Sequence, residues 1–70
     1  MLRPPEVREA ELWRRLEAVL GRGYAHAWAD QVVLGDLGGR TVTEALGHGL
    51  ETKLIWRAVW AQLGLPASER

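Results

Sequence analysis

Nucleophiles are scarce in this sequence. It contains no cysteine, and its one serine, Ser68, lies among the last few residues. Nucleophilic catalysis needs a hydroxyl or thiol held beside an oriented base. The two threonines with polar neighbours, Thr41 and Thr43, are better explained by helix capping. We therefore expect the protein not to be an enzyme.

Metal ligands are also few. The chain has two histidines, His26 and His48, whereas a protein metal site needs three or four converging ligands. His26 and Asp30 are spaced to share one face of a helix, and His48 stands between two glycines. We interpret the first pair as exposed polar residues and expect no metal and no cofactor.

The segment Gly38-Gly39-Arg40-Thr41 superficially resembles the end of a phosphate-binding loop. The spacing to an earlier glycine is wrong for that motif, and an arginine replaces its lysine. Free N–H groups beside an arginine could still hold an anion at a helix N-terminus. The alternative, which we favour, is a hinge or turn followed by a helix cap. On either interpretation Arg40 needs an explanation, since a cap does not require it.

Four segments have the pattern of helices that could position these residues. Amphipathic patterns predict helices at residues 7–20 and 24 to about 34, and a last helix from 51 to about 63. Thr41 and Glu44 have the spacing of a capping box, which predicts a short helix before Gly47. Gly64 and Pro66 predict the end of the last helix. No segment alternates with the period of a strand.

These elements predict an all-α fold: a small compact bundle of three main helices plus one short helix. One domain should span residues 1–70, with 1–5 and 67–70 frayed at its ends. Four tryptophans supply large buried areas, and Trp13, Trp28 and Trp56 should contribute to one core. Tyr24 should share the stripe of Trp28, while Ala25 and Ala29 should allow a neighbouring helix to approach closely.

Composition and charge bear on nucleic-acid binding and on membrane association. The formal net charge is zero and the isoelectric point is about 6.7, whereas nucleic-acid-binding domains usually carry a net basic field. Near the N-terminus, no apolar run typical of a signal peptide or membrane span follows Arg3. We expect no membrane association. The lack of cysteine fits a cytoplasmic location, which we predict.

The last helix has more apolar surface than a small bundle requires. Its large apolar residues cover about 140° of the helical wheel, whereas a helix facing one core needs about 100° or somewhat more. Leu54, Ala58 and Ala61 extend that surface further. The helix is therefore either central to the core or partly free for a partner. Our candidate interaction surface consists of Lys53, Trp56, Arg57 and Trp60, with the Arg57 guanidinium able to stack on either indole.

The last two helices also match the spacing of a helix-turn-helix. Ala45, Gly49 and Ile55 fall where that motif places a small residue, a turn glycine and an apolar residue. We therefore predict a helix-turn-helix-like arrangement. As a DNA reader it is weak, because Glu51 would repel phosphate and Trp56 is poorly suited to reading a major groove.

Several segments together resemble a known family. They are Glu11-Leu12-Trp13, residues 24–29, Leu37 to Val42, Glu44-Ala45-Leu46, residues 55–59 and Leu65-Pro66. This pattern, over about residues 9 to 67, is similar to the actinobacterial family of short proteins called domain of unknown function 3046. The resemblance implies a cytoplasmic protein without assigned activity, whose gene often lies near those of a recombinase and its regulator. The chain departs from the family at Trp60, where cysteine is common, and at Thr52, where proline often begins the last helix.

Two classes of function follow. The one we favour is a non-enzymatic protein-interaction module whose partner is an unidentified protein or a second copy of the chain. The alternative is a nucleic-acid-binding accessory protein that uses the last helix pair with Arg40, Lys53 and Arg57. Whether Trp60 belongs to the core or to an interface stays open at this stage.

Overall fold

The computed structural model describes the backbone of residues 4–69 and the side chains of residues 9–68. The helices are α1 (Pro4–Leu20), α2 (Arg22–Gln31), α3 (Val42–Gly47) and α4 (Thr52–Leu63), with 3-10 turns at Gly35–Leu37 and Ala67–Glu69. No strand occurs between residues 4 and 69, where a single antiparallel bridge joins Leu34 to Arg40. The all-α prediction of three main helices plus a short one is confirmed.

A single residue, Gly21, joins α1 to α2. Its N–H donates to the Glu17 carbonyl oxygen at 2.8 Å, and its own carbonyl accepts from the Ala25 N–H at 2.9 Å. It therefore ends one helix and begins the next. Its φ of 91° lies in the region that favours glycine.

The predicted bounds of the second helix were wrong at both ends. The chain re-enters helix directly after Gly21, so that Gly23 lies inside α2 instead of in a turn. At the other end Val32 is already extended, with φ −86° and ψ 119°. This extended segment brings the Leu34 N–H to the Arg40 carbonyl oxygen at 3.0 Å, a pairing that a continued helix would prevent.

Two helices end in the Schellman motif. After α3 the Leu50 N–H donates to the Ala45 carbonyl oxygen, and after α4 the Leu65 N–H donates to that of Trp60. Both motifs place a glycine in the left-handed conformation, Gly49 at φ 80° and Gly64 at φ 66°. The stop predicted at Gly64 is thus confirmed.

All four helices and the loop between α2 and α3 contribute to one core. Its buried members are Leu12, Leu16, Ala25, Trp28, Ala29, Leu34, Leu37, Val42, Ala45, Ile55, Trp56, Ala58 and Val59. Trp13 packs against them half-buried. Tyr24, expected on the stripe of Trp28, is instead 57% exposed.

The predicted fraying concerns residues 1–5 and 67–70, of which 1–3 and 70 lie outside the described backbone. Pro4 and Pro5 are in α1, and Ala67–Glu69 form a 3-10 turn. The angle at which α3 meets α4 is not fixed by the capping and burial described above. The helix-turn-helix-like arrangement of the last two helices therefore stays a prediction.

Candidate interaction surface

Helix α4 divides its apolar residues between the core and the surface. Ile55, Trp56, Ala58 and Val59 are buried, whereas Leu54 is 51% exposed. Helical spacing places Leu54, Lys53 and Arg57 away from the buried residues. We call the residues on and beside this side the α4 outer face: Lys53, Leu54, Arg57, Trp60 and Ala61.

Trp56 belongs to the core and not to the candidate surface. Its side chain is only 5% exposed, so it is inaccessible to a partner. The guanidinium that lies over its ring, 5.6 Å from the centroid, is that of Arg15 in α1. The sequence had suggested Arg57 for this stacking, because a helical wheel shows neighbours within one helix and not those on another.

Trp60 is half-buried at the edge of the outer face. Its indole N–H donates to the Pro66 carbonyl oxygen at 2.9 Å, and the Schellman motif at Gly64 turns the chain back toward it. The indole therefore fixes the segment that follows α4. This arrangement gives Trp60 a structural role while leaving part of the ring at the surface.

Lys53 and Arg57 are both exposed on the outer face. They stand one helical turn apart, a spacing that puts their side chains side by side. Within the described residues neither forms an ion pair. Among residues 9–68, no carboxylate therefore neutralises these two cations of the outer face.

A groove of about 300 Å³ runs along one side of α4. Its lining residues are Leu34, Gly35, Asp36, Ala58, Ala61 and Gln62. Ala58, Ala61 and Gln62 belong to α4, whereas Leu34, Gly35 and Asp36 come from the segment after α2. Leu54 is not among the lining residues, but it lies one turn before Ala58 on the same side of α4.

Sequence reasoning found only part of this surface. It selected Lys53, Arg57 and Trp60, and it recognised Leu54 and Ala61 as surplus apolar surface. Asp36 was missed, because its position beside α4 depends on how the loop after α2 folds. The hydrophobic periodicity of the sequence does not predict where Asp36 lies relative to α4.

The candidate anion or hinge segment, Gly38 to Thr41, is a tightly closed loop. The Leu34 carbonyl accepts from the N–H groups of Leu37 and Gly39, and Gly38 and Gly39 have φ of 73° and 79°. Arg40 donates from Nη1 to the Leu37 carbonyl oxygen at 3.3 Å. Arg40 therefore caps the end of the 3-10 turn, and motion as a hinge would require these bonds to break.

The capping box at the start of α3 is present in full. The Thr41 N–H donates to Glu44 Oε1 at 3.0 Å, and the Glu44 N–H donates to Thr41 Oγ1 at 3.1 Å. The N–H groups of Thr41 and Glu44, two donors that could hold an anion, are thus already bonded to side-chain oxygens of this helix start. What remains of the anion hypothesis is Arg40, which is itself half-buried and engaged with Leu37.

Replacing Thr41 with alanine should lower the free energy of unfolding by about 1–2 kcal/mol, because it leaves the Glu44 N–H without its acceptor. Thr41 is 6% exposed, so water compensates poorly. Urea unfolding followed by circular dichroism measures the change. Thr41→Ser keeps the hydroxyl and is the control; equal losses in the two variants would show that the methyl group, and not the cap, matters.

Two of the residues considered as metal ligands, His26 and Asp30, form contacts between helices, whereas His48 is exposed at the end of α3. The His26 ring stacks on Trp13 with centroids 4.3 Å apart, and its Nε2 lies 3.6 Å from a Glu17 carboxylate oxygen. Asp30 accepts a hydrogen bond from the Thr43 hydroxyl. Thr43, which we had assigned to capping, thus ties α3 to α2. Across the described residues, no three His, Cys, Asp or Glu side chains gather as metal ligands would.

A family model described as a protein of unknown function, DUF3046, matches residues 7–68. The chain belongs to this family. Membership agrees with the resemblance carried by the Gly38–Thr41 and Trp56–Ala58 segments. Neither the curated proteins nor the solved structures include a match to the chain. Between residues 4 and 69, no helix is long and apolar enough to cross a membrane.

Proposed function

We propose that the protein is a non-enzymatic interaction module of the cytoplasm that binds a partner protein through the α4 outer face. The observation that supports this most is Leu54, a large apolar side chain 51% exposed in the first turn of a well-formed helix. It adjoins a groove that has room for side chains from another molecule. A cysteine-free chain is compatible with a reducing compartment.

The surrounding residues have the character of an interface. Aromatic and arginine side chains are enriched where proteins bind one another. Arg57 lies one turn after Leu54 on α4, and Trp60 lies one turn after Arg57. The Trp60 ring is already held by its bond to the Pro66 carbonyl. A partner would therefore lose little side-chain entropy in ordering it.

The alternative, a nucleic-acid-binding accessory role, has weaker support. Of the three cations assigned to it, Arg40 donates to the Leu37 carbonyl inside its own loop. Lys53 and Arg57 remain, and two phosphate contacts supply little affinity. The exposed leucine between them has no role in holding a phosphate backbone.

Leu54→Asp should abolish partner binding while leaving the fold intact. The substitution places a charge in the middle of the proposed contact, where truncation of an interface anchor costs at least about 2 kcal/mol, or roughly thirtyfold in affinity. An acidic residue in the first turn of a helix does not destabilise it. Affinity capture from native lysate, with the bound proteins compared between variants, measures the loss.

Val33→Asp is the matched control, since Val33 is 58% exposed but lies in the extended segment after α2. Wild-type protein and this control should capture the same proteins, and Leu54→Asp should lose them. Undiminished capture by Leu54→Asp would refute the α4 outer face as the binding surface. Circular dichroism establishes that both variants are folded.

A further inference from the structure

We propose that the occupant of the α4 outer face is an amphipathic helix of a partner protein with carboxylates along one flank of its apolar stripe. This inference rests on the proposed function and adds the chemistry of the partner. Three features on and beside α4 carry it: a leucine-alanine seam, a flank with two cations that form no ion pair among the described residues, and Asp36 in the groove on the other flank.

The seam has the spacing that a second helix needs. Leu54, Ala58 and Ala61 stand four and three residues apart, so they follow one line along two turns of α4. Ala58 is 4% exposed at the bottom of the groove, which lets another helix approach closely. Helices that bind in apolar grooves present anchors at the same spacings. A leucine or similar side chain from the partner would enter beside Ala58 and Ala61.

One flank of the seam is positively charged and would attract carboxylates of a partner. Lys53 and Arg57 are one turn apart, about 5.4 Å along the helix, and within the described residues neither pairs with a carboxylate. Glutamates one turn apart on a partner helix have the same separation, so each could pair with one of these cations. Contact with an apolar stripe would also remove water from these cations, which strengthens their pairing with carboxylates.

The other flank, which carries Asp36, helps to distinguish an acidic protein helix from a nucleic acid as the partner. Asp36 lines the groove together with Ala61 and Gln62, and it forms no ion pair among the described residues. A uniformly anionic polymer lying across the seam would bring phosphates against this carboxylate. A protein helix can place acid toward Lys53 and Arg57 and a neutral or basic residue toward Asp36. The geometry therefore favours a protein segment over nucleic acid.

Three synthetic peptides test the inference on the full chain. Each is a helix of about 18 residues, long enough to be partly helical alone, with a leucine stripe and glutamines on one flank. The other flank carries glutamate in the first peptide, glutamine in the second and lysine in the third. Titration into ¹⁵N-labelled protein, followed by amide and indole chemical shifts, gives the affinity and the site.

The glutamate peptide should bind best and the lysine peptide worst, with shifts centred on Leu54, Arg57, Ala61 and the Trp60 indole. In the double variant Lys53→Glu/Arg57→Glu the order should invert, and the glutamate peptide should bind about tenfold more weakly, equivalent to about 1.4 kcal/mol. Arg14→Glu/Arg22→Glu makes the same change of net charge on α1 and α2, and it should preserve the wild-type order. All four positions are exposed. The control loses the ion pair between Arg14 and Glu11, but exposed pairs contribute no more than about 1 kcal/mol, so both double variants should remain folded.

Three results would overturn the inference. One is an order of peptides that the charge reversal on α4 leaves unchanged. Another is no binding of any peptide at about 1 mM, which corresponds to less than about 4 kcal/mol of binding. The third is a DNA duplex that binds more tightly than the glutamate peptide and weakens on reversal of Lys53 and Arg57. If Leu54→Asp still loses its natural partners in those cases, the proposed function stands and only the chemistry of the partner is refuted.

Discussion

Trp28→Ala should lower the free energy of unfolding by about 3–5 kcal/mol, the cost of deleting a buried tryptophan side chain. Trp28 is 6% exposed in the centre of α2. A domain of 70 residues has roughly 4–10 kcal/mol of stability in total. With no cysteine, it has no disulfide to limit the loss. The substitution therefore removes at least about a third of that stability.

Urea unfolding followed by far-ultraviolet circular dichroism measures the effect of Trp28→Ala. Tyr24→Ala, one turn earlier in the same helix, is the control. Tyr24 is 57% exposed, so its truncation should change the free energy of unfolding by no more than about 0.5 kcal/mol. A loss below about 1 kcal/mol in Trp28→Ala would contradict the placement of this indole in the core.

Ala29→Leu should destabilise the fold by about 1–3 kcal/mol, because overfilling a packed core forces strained rotamers and shifts in the backbone. Ala29 is 0% exposed, and α2 packs directly against α1 and α3. Leucine and alanine are both strong helix formers, so the substitution changes helix propensity little. The loss would therefore come from packing and not from helix propensity.

Ala27→Leu provides the comparison for Ala29→Leu, since Ala27 is exposed on the same helix. Its melting temperature should match that of the wild type to within a few degrees. Thermal unfolding of both variants separates the two positions. Equal melting temperatures for Ala29→Leu and the wild type would show that the contact between α1 and α2 has room for a larger side chain.

Features decided within a few residues were predictable from the sequence. The capping box of Thr41 and Glu44 and the stop at Gly64 depend on local hydrogen bonds, and both occur as expected. Ala25 and Ala29 were likewise predicted at a close helix contact, and both are fully buried. These predictions succeed because the residue type and the local backbone conformation determine each other.

Features that depend on tertiary contacts were harder to predict. The apolar arc of α4 is too wide to show which of its two tryptophans faces the core. Packing of α4 against α1 places Trp56 in the core, with the Arg15 guanidinium over its ring. The end of α2 was misplaced for the same reason, because the Leu34–Arg40 bridge forms between segments that a helical pattern treats separately. Predicting the groove would have required both the orientation of α4 and the end of α2, because the loop after α2 brings Asp36 to α4.

Arg40 was left unexplained by the sequence and now has a structural role. Its guanidinium reaches the Leu37 carbonyl oxygen and passes over Gly38, where an added Cβ would lie 3.1 Å from Nη1. The left-handed φ of Gly38 favours glycine, whereas the approach of Arg40 involves the flexible end of its side chain. Gly38 is thus explained by its backbone conformation, and Arg40 by its bond to the Leu37 carbonyl oxygen.

Because one residue, Gly21, joins α1 to α2, these two helices lose little chain entropy when they pack against each other. The entropy lost on closing a loop grows with its length, and here almost no loop has to be closed. Chains dominated by contacts between neighbouring segments fold in microseconds to milliseconds. The pair α1–α2 is therefore the natural place for folding to begin, and the docking of α4 onto α1 is the step that spans most of the chain. Substitutions in that later contact should mainly accelerate unfolding.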